Sequence, residues 1–330
     1  IEMRFLIMEN ILDIIIPIYN TPEEYLVRAL KSIIVQKGID FNILNVIIVD
    51  DASKKNKYKK SWFKQRFPKL KITYLVNKEN VGPGVSRQNA IDAGNGKYIT
   101  FLDSDDEFLG TDIFPKVLSV FEEFNVDKIF TKVNEETIIN GVFYNITHDF
   151  KTLDCLHGLF LRRSFLDEYS IRFDEKLRIH EDFYFVRLVN GFSVDSRAFI
   201  DQVSYNWKWN NQSLMRSNKK IYNHLEDEFY AIFKTNSIFE KNKIDYLEFY
   251  IGGMCSLYLV LASNLFDYEE YRDLKPQYVE LFRSNYDKDK FDKYGLEKLH
   301  ETIQLKFNAQ LRIYNWFKVK ESFEDFIKKI

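Results

Sequence analysis

The feature that most limits how this chain can fold is a series of four short apolar runs, each stopping at a polar cluster. They are Leu12 to Ile18, Val46 to Val49, Ile72 to Val76 and Tyr98 to Leu102. Runs of this kind mark strands covered on both faces in a parallel sheet. The residues that close them are Tyr19 and Asn20, then Asp50 and Asp51, then Asn77, then Asp103 to Asp106. Helix signals separate the runs. Thr21-Pro22-Glu23-Glu24 reads as a capping box opening a helix to about Gln36. The lysine-rich stretch Lys54 to Lys64 reads as a solvated helix face, and Val85 to Ala93 as a helix broken by Gly94 and Gly96. A helix from Asp112 to Phe124 and an apolar segment near Lys128 to Val133 continue the pattern. This order predicts an α/β fold with a mostly parallel, Rossmann-like sheet flanked by helices. Ligands of such sheets bind outside the carboxyl ends of the strands, so the polar clusters are expected to converge on one crevice.

The sharpest of these clusters is the last. Asp103, Asp105 and Asp106 crowd three carboxylates into four positions at a strand end, an arrangement stabilised by Mn²⁺, Mg²⁺ or an arginine. An EF-hand calcium loop would need glycine at its sixth position and glutamate at its twelfth; counted from Asp103 these are Phe108 and Phe114. A haloacid-dehalogenase phosphohydrolase would carry its Asp-x-Asp on the first strand, with Thr or Val where Glu107 stands. The remaining reading is Asp-x-Asp as a metal and nucleotide clamp. Upstream, Asn80-Val81-Gly82-Pro83-Gly84 is a loop whose glycines permit close backbone approach, and Arg87 lies in the first turn of the helix that follows, able to face an anion. Taken alone, this loop reads first as a plain tight turn and only second as an anion site.

Composition narrows the classes. The 330 residues are 45% hydrophobic, enough for one large or two medium domains with a real core. With 47 basic against 49 acidic residues the net charge is -2, so no global field draws nucleic acid or anionic lipid. Cys155 and Cys255 are the only cysteines and show no zinc spacing, which fits a reducing, cytoplasmic compartment. No signal peptide is expected ahead of the first strand. The uncharged run Phe249 to Phe266 approaches spanning length, but its glycines, serines, asparagine and acidic flanks read as a buried soluble helix.

In order along the chain, Ile16-Pro17-Ile18-Tyr19-Asn20, Val49-Asp50-Asp51-Ala52-Ser53, Asn80-Val81-Gly82 with Arg87, Gly96-Lys97-Tyr98 through Asp106, and Arg172-Phe173-Asp174-Glu175-Lys176-Leu177 followed by His180-Glu181-Asp182 resemble the GT-A glycosyltransferases of family 2. That group includes bacterial cell-surface polysaccharide and teichoic-acid enzymes, and the likeness covers about residues 11 to 215. The resemblance implies a nucleotide-sugar site formed by Pro17, Tyr19, Asn20, Asp51, Asn80, Gly82, Arg87, Asp103 and Ser104. Asp51 would pair with the base beside Tyr19, Arg87 would touch the nucleotide or diphosphate, and Asp103 the ribose or base. Asp105 would be the chief ligand of Mn²⁺ or Mg²⁺, with Asp103 as a second. Asp182 would be the general base, with Glu181 as runner-up. His157, Glu181, Trp207 and Trp209 are candidates for acceptor contacts, and neither His157 nor His180 is assigned to the metal. The activity implied is inverting transfer from a nucleotide sugar, UDP-sugar first, to a saccharide or polymer hydroxyl. The alternative is a non-catalytic nucleotide- or sugar-binding protein that keeps the fold.

Two departures stand out. Gln88 and Ala90 occupy positions where many relatives carry Asn and Gly. The late segment Tyr205-Asn206-Trp207-Lys208-Trp209-Asn210-Asn211-Gln212-Ser213 has no histidine, so Lys208, Asn210, Asn211 or water must serve instead. Trp207 and Trp209 are expected to alternate on one strand face. The expected domains are a GT-A catalytic part over 1–217, with nucleotide-sugar half 11–106 and acceptor half 107–217, and a helical region over 218–330. Peripheral association with the inner face of the membrane and homo-oligomerisation through those helices remain open; nucleic acid is not expected as a partner.

Overall fold

The computed structural model describes residues 10–139, 141–149, 155–210, 225–313 and 318–329. The chain divides into two compact units, residues 1–227 and 228–330. The expected boundary at 217 falls outside the described residues.

The first unit is built on a nine-stranded sheet. β1 (Leu12–Ile18), β2 (Leu44–Asp50), β3 (Ile72–Val76) and β4 (Tyr98–Phe101) are parallel neighbours in the order β3-β2-β1-β4. Every residue of β2 is buried, as its apolar run requires of a strand covered on both faces. α1 (Glu23–Ile34), α2 (Lys60–Arg66) and α3 (Pro83–Ala93) connect the strands. Beyond β4 the sheet becomes mixed. After β5 (Glu107–Phe108) and α4 (Ile113–Phe124) come β6 (Lys128–Ile139), β7 (Val142–His148), β8 (Leu159–Arg162), the short α5 (Arg163–Glu168) and, later, β9 (Arg197–Trp207). β8 runs antiparallel to both β4 and β6, whereas β9 is parallel to β6 and antiparallel to β5. Parallel order thus holds through β4, and the sheet is mixed beyond it.

Several local expectations are corrected. Thr21 does not cap α1: Pro22 is the N-cap and no side chain satisfies the helix start, because the Thr21 hydroxyl instead meets Ser104 Oγ at 2.8 Å. The lysine-rich stretch is helical only from Lys60. β9 ends at Trp207, so strand alternation does not extend to Trp209.

One polar knot pins the amino ends of these strands. Asp13, fully buried on β1, accepts from Gly96 N at 2.7 Å, Asn45 Nδ2 at 3.0 Å and Arg163 Nη2 at 2.7 Å. A Cβ on Gly94 would sit 2.3 Å from Asp13 Oδ2, so glycine is required for that approach.

The second unit is helical. Its longest-buried element, Leu247–Leu261, is covered from Tyr250 onward. Among the described residues no helix is long and apolar enough to cross a membrane.

Candidate active site at the carboxyl edge of the sheet

Ile18 pairs with Asp50, while β4 stops level with Ile15, leaving room for a turn beside the end of β1. Leu102 N donates to Ile15 O at 2.9 Å, and Asp106 N donates to Asp103 O at 3.0 Å, closing that turn. The crowded carboxylates therefore stand at the strand ends, where parallel-sheet proteins keep their ligand crevices.

On the nucleotide side, several expected contacts are also internal ties. Asp51 is buried and accepts from Val81 N and Gly82 N, both at 2.9 Å, and from Asn77 Nδ2 at 2.9 Å. It thereby shapes the loop that opens α3, where Gly82 takes a φ of +93° that favours glycine. Asn80 Oδ1 accepts from Arg178 Nη1 at 3.2 Å. Asn20, at φ +52°, accepts from Lys54 N and Lys55 N through Oδ1. Pro17 is partly buried on β1, and Tyr19 is 46% exposed at the mouth.

Arg87 lies inside rather than at the mouth. Its Nη2 donates to Asp103 Oδ1 at 2.6 Å and its Nη1 to Glu181 Oε1 at 2.9 Å, with the side chain only 7% exposed. Glu181 and Asp182 open α6 (Glu181–Phe192), presented by His180 in a left-handed conformation of φ +61°. Asp182 is partly exposed, and its Oδ1 accepts from Phe183 N at 2.7 Å.

The turn has its own support. The Tyr205 hydroxyl accepts from Asp103 N at 3.1 Å and donates to Asp106 Oδ2 at 2.7 Å. Asp106 Oδ1 accepts from Lys208 N at 2.8 Å. His157 stacks on Tyr205 with ring centroids 4.7 Å apart and lies 5.0 Å from the Trp207 ring. Its Nε2 is 3.5 Å from Asp103 Oδ2 and 3.8 Å from Asp106 Oδ2. His157 and Trp207 are thus brought to the carboxylates; Trp209 instead donates its backbone N–H to Glu136 at 3.2 Å.

Burial opposes charge on Asp103, but the Arg87 guanidinium and His157 outweigh it and hold the carboxyl well below the usual range. Asp106 is pushed well above that range by burial, against the pull of His157 and with Asp105 and Asp103 adding to it. Glu181 is pushed up to about 7 by burial and by Asp182, with Arg87 opposing.

Asp103, Asp106 and His157 each offer one ligand atom, all within 4.8 Å of one another. Of the two expected ligands Asp103 is in this trio and Asp105 is not, and His157, not expected at the metal, joins it. In the structure Asp105 Oδ2 accepts from Asn210 Nδ2 at 2.8 Å, outside that trio. Of the substitutes for the missing late histidine, Lys208 directs its ammonium to Glu136, Asn210 reaches Asp105, and Asn211 lies outside the described residues. An imidazole with two carboxylates suits Mn²⁺ better than Mg²⁺, which favours all-oxygen sites. The sequence places Asp106 in the carboxylate cluster without a role of its own, and gives Tyr205 none. The signal was present, since an aromatic in the late segment and a third carboxylate are both visible, but their pairing spans 99 residues.

The parallel carboxyl edge thus carries an Asp-x-Asp turn beside a Glu-Asp helix start. Residues 13–169, just under half of the chain, match the family described as Glycosyl transferase family 2. Among curated relatives, the minor teichoic acid biosynthesis protein GgaB of Bacillus subtilis is 30% identical over 193 residues, 54% of this chain and 21% of that protein. The matched stretch spans about a third or less of the first such relatives' own length, at 32%, 28% and 21%. S. aureus TarS 1-349 in complex with UDP superposes with a TM-score of 0.63 at 16% identity, covering 92% of this chain and 90% of that one. The mannosyltransferase PcManGT from Pyrobaculum calidifontis, in complex with GDP-Man and Mn²⁺, gives 0.51 at 14% identity, covering 68% and 65%. These likenesses establish the GT-A fold.

Proposed function

We propose that this chain is an inverting, metal-assisted glycosyltransferase that moves a sugar from a nucleotide donor, UDP-sugar first, to a saccharide or polymer hydroxyl. The observation that carries the proposal is the meeting at one sheet edge of the 103–106 turn with the Glu181–Asp182 helix start. The structures of TarS with UDP and of PcManGT with GDP-Man and Mn²⁺ support a nucleotide-sugar donor. The relation to GgaB supports a cell-surface polymer as acceptor.

In this mechanism Asp182, the more exposed of the acidic pair, accepts the acceptor's hydroxyl proton. The acceptor oxygen forms a bond to the anomeric carbon from the face opposite the leaving group. The bond to phosphate oxygen breaks, the nucleoside diphosphate departs with the electron pair, and configuration inverts. Tyr19, Asn80, Gly82 and Ser104 line the donor side, and Asp51 holds the loop that carries two of them. Asp103, Asp106 and His157 would hold the cation, with Asp105 beside them; when bound, it neutralises charge developing on the departing diphosphate.

The test is a thermal-shift screen of nucleoside diphosphates and nucleotide sugars with and without Mn²⁺, followed by donor turnover in Asp182→Asn. A Mn²⁺-dependent shift with UDP, and loss of transfer with donor binding kept in the variant, are expected. No shift with any nucleotide would refute the donor site. Nucleotide binding without turnover on any sugar donor, hydrolysis included, would favour the non-catalytic binding protein.

A further inference from the structure

Arg87 is a charged side chain in the interior of the first unit, and its two terminal nitrogens are committed to carboxylates from different parts of the chain. Asp103 lies 16 residues away on the turn, Glu181 94 residues away at the start of α6. The three side chains are 7%, 33% and 9% exposed, so the link is screened from water on the Glu181 side and open only at Asp103. The approach is tight by construction. A Cβ on Gly84, in the first turn of α3, would lie 2.7 Å from Glu181 Cγ and 2.9 Å from its Cβ. Gly84 therefore lets α6 settle against α3 at the point where Arg87 reaches across. A planar guanidinium can hold two carboxylates at fixed angles; a lysine ammonium is a single point charge on a flexible stem.

We propose that Arg87 is a positioning residue that locks the Glu181–Asp182 start of α6 onto the Asp103 turn, setting the base in register with the donor rather than binding the diphosphate. The register part rests on the reading of Asp182 as base; the lock itself does not. With the side chain only 7% exposed, both terminal Arg87 nitrogens face protein carboxylates and Nε is buried without a hydrogen-bond partner, so little of the guanidinium is open to a phosphate. Asp182 sits one residue beyond the locked position, so a shift of α6 moves it directly. Misplacement by about 1 Å can cost on the order of a hundredfold in rate.

Two readouts on Arg87→Lys keep the parts separable. Hydrogen exchange by mass spectrometry, without ligand, should show faster exchange of the amides of residues 181–185 than in the parent, while β1 and β2 stay protected. Steady-state kinetics should show kcat lower by about a hundredfold, with the Kd for UDP, from calorimetry, within about threefold of the parent. The double variant Arg87→Gln/Glu181→Gln, which removes the charge and a buried partner together, guards against misfolding and should show the same exchange pattern. Unchanged exchange at 181–185 in both variants would overturn the lock. Faster exchange at 181–185 with unchanged kcat would uphold the lock and refute the assignment of the base. A UDP Kd weaker by tenfold or more with kcat retained would overturn the proposal in favour of a diphosphate contact.

Discussion

Gly84→Ala puts the packing of the two acidic elements to a quantitative test. The added methyl would stand 2.7 Å from Glu181 Cγ and 2.9 Å from Glu181 Cβ. These are the stem atoms of a side chain whose far end is fixed 2.9 Å from Arg87 Nη1, so it cannot swing aside without giving up that ion pair. Overpacking of this kind costs about 1–3 kcal/mol. Against it stands the better helix propensity of alanine, at most about 1 kcal/mol and less at a helix start. The overlap wins, and a net loss of about 1–2 kcal/mol follows. For a unit of this size that lowers the melting temperature by roughly 2–8 °C. The assay is thermal unfolding of the parent, of Gly84→Ala, of Glu181→Ala and of the double variant. In the Glu181→Ala background the Cγ is gone and the tie to Arg87 released, while the Cβ 2.9 Å away remains free to ease back, so the cost of Gly84→Ala should fall without vanishing. An unchanged melting temperature in Gly84→Ala, or an equal loss in both backgrounds, would refute the argument that Glu181 and Gly84 pack as described.

Three further outcomes are expected. Glu181 has a folded pKa of about 7 against an ordinary 4.5, raised by burial and Asp182. An acid raised in this way stabilises the fold below its unfolded value and loses that contribution as pH climbs through about 7, by up to about 3 kcal/mol. Melting temperatures measured from pH 4.5 to 8 should therefore fall more steeply in the parent than in Glu181→Gln; parallel curves would contradict the raised value. Mn²⁺ at a hundred times its Kd should stabilise the protein by about 2.7 kcal/mol, and His157→Gln should remove most of that gain. Retention of the full Mn²⁺ shift in His157→Gln would take the imidazole out of the ligand set. Asp13→Ala strips the partner of Arg163 and leaves Gly96 N and Asn45 Nδ2 short of an acceptor, at a cost of about 3–5 kcal/mol. Urea unfolding should show that loss while UDP affinity of the folded fraction is kept; a loss below 1 kcal/mol would mean the knot at the amino ends of the strands is not structural.

Much of this architecture was legible in the chain alone. The four parallel strands lie close to where their apolar runs predict, because a strand buried on both faces must be apolar along its whole length, and that is a local property. The convergence of polar residues at one edge follows from parallel order itself. The Asp-x-Asp turn and the Glu-Asp pair were visible for the same reason, as short contiguous motifs. Even Gly82 was readable, since a glycine loop ahead of a helix needs the freedom its φ of +93° uses.

What only the tertiary structure decided is which partner each polar group meets. Asp51 shows an acidic residue at a strand end, but its oxygens accept from Val81 N and Gly82 N, 30 and 31 residues away. Thr21 has the spacing of a helix cap and gives its hydroxyl to Ser104, a neighbour only once β1 and β4 pair. Arg87 sits where an anion contact is expected, yet its guanidinium reaches carboxylates on two other elements. His157 comes to Asp103 and Asp106 because Tyr205 on β9 stacks on its ring and Trp207 lies tilted beside it. The physical reason is range. Apolar periodicity and turn chemistry act within a few residues and write themselves into the local sequence, whereas a hydrogen bond is directional, acts near 3 Å and depends on register and rotamer. The carboxylate cluster and the acidic pair were therefore sequence properties; the arginine that joins them was settled by the fold.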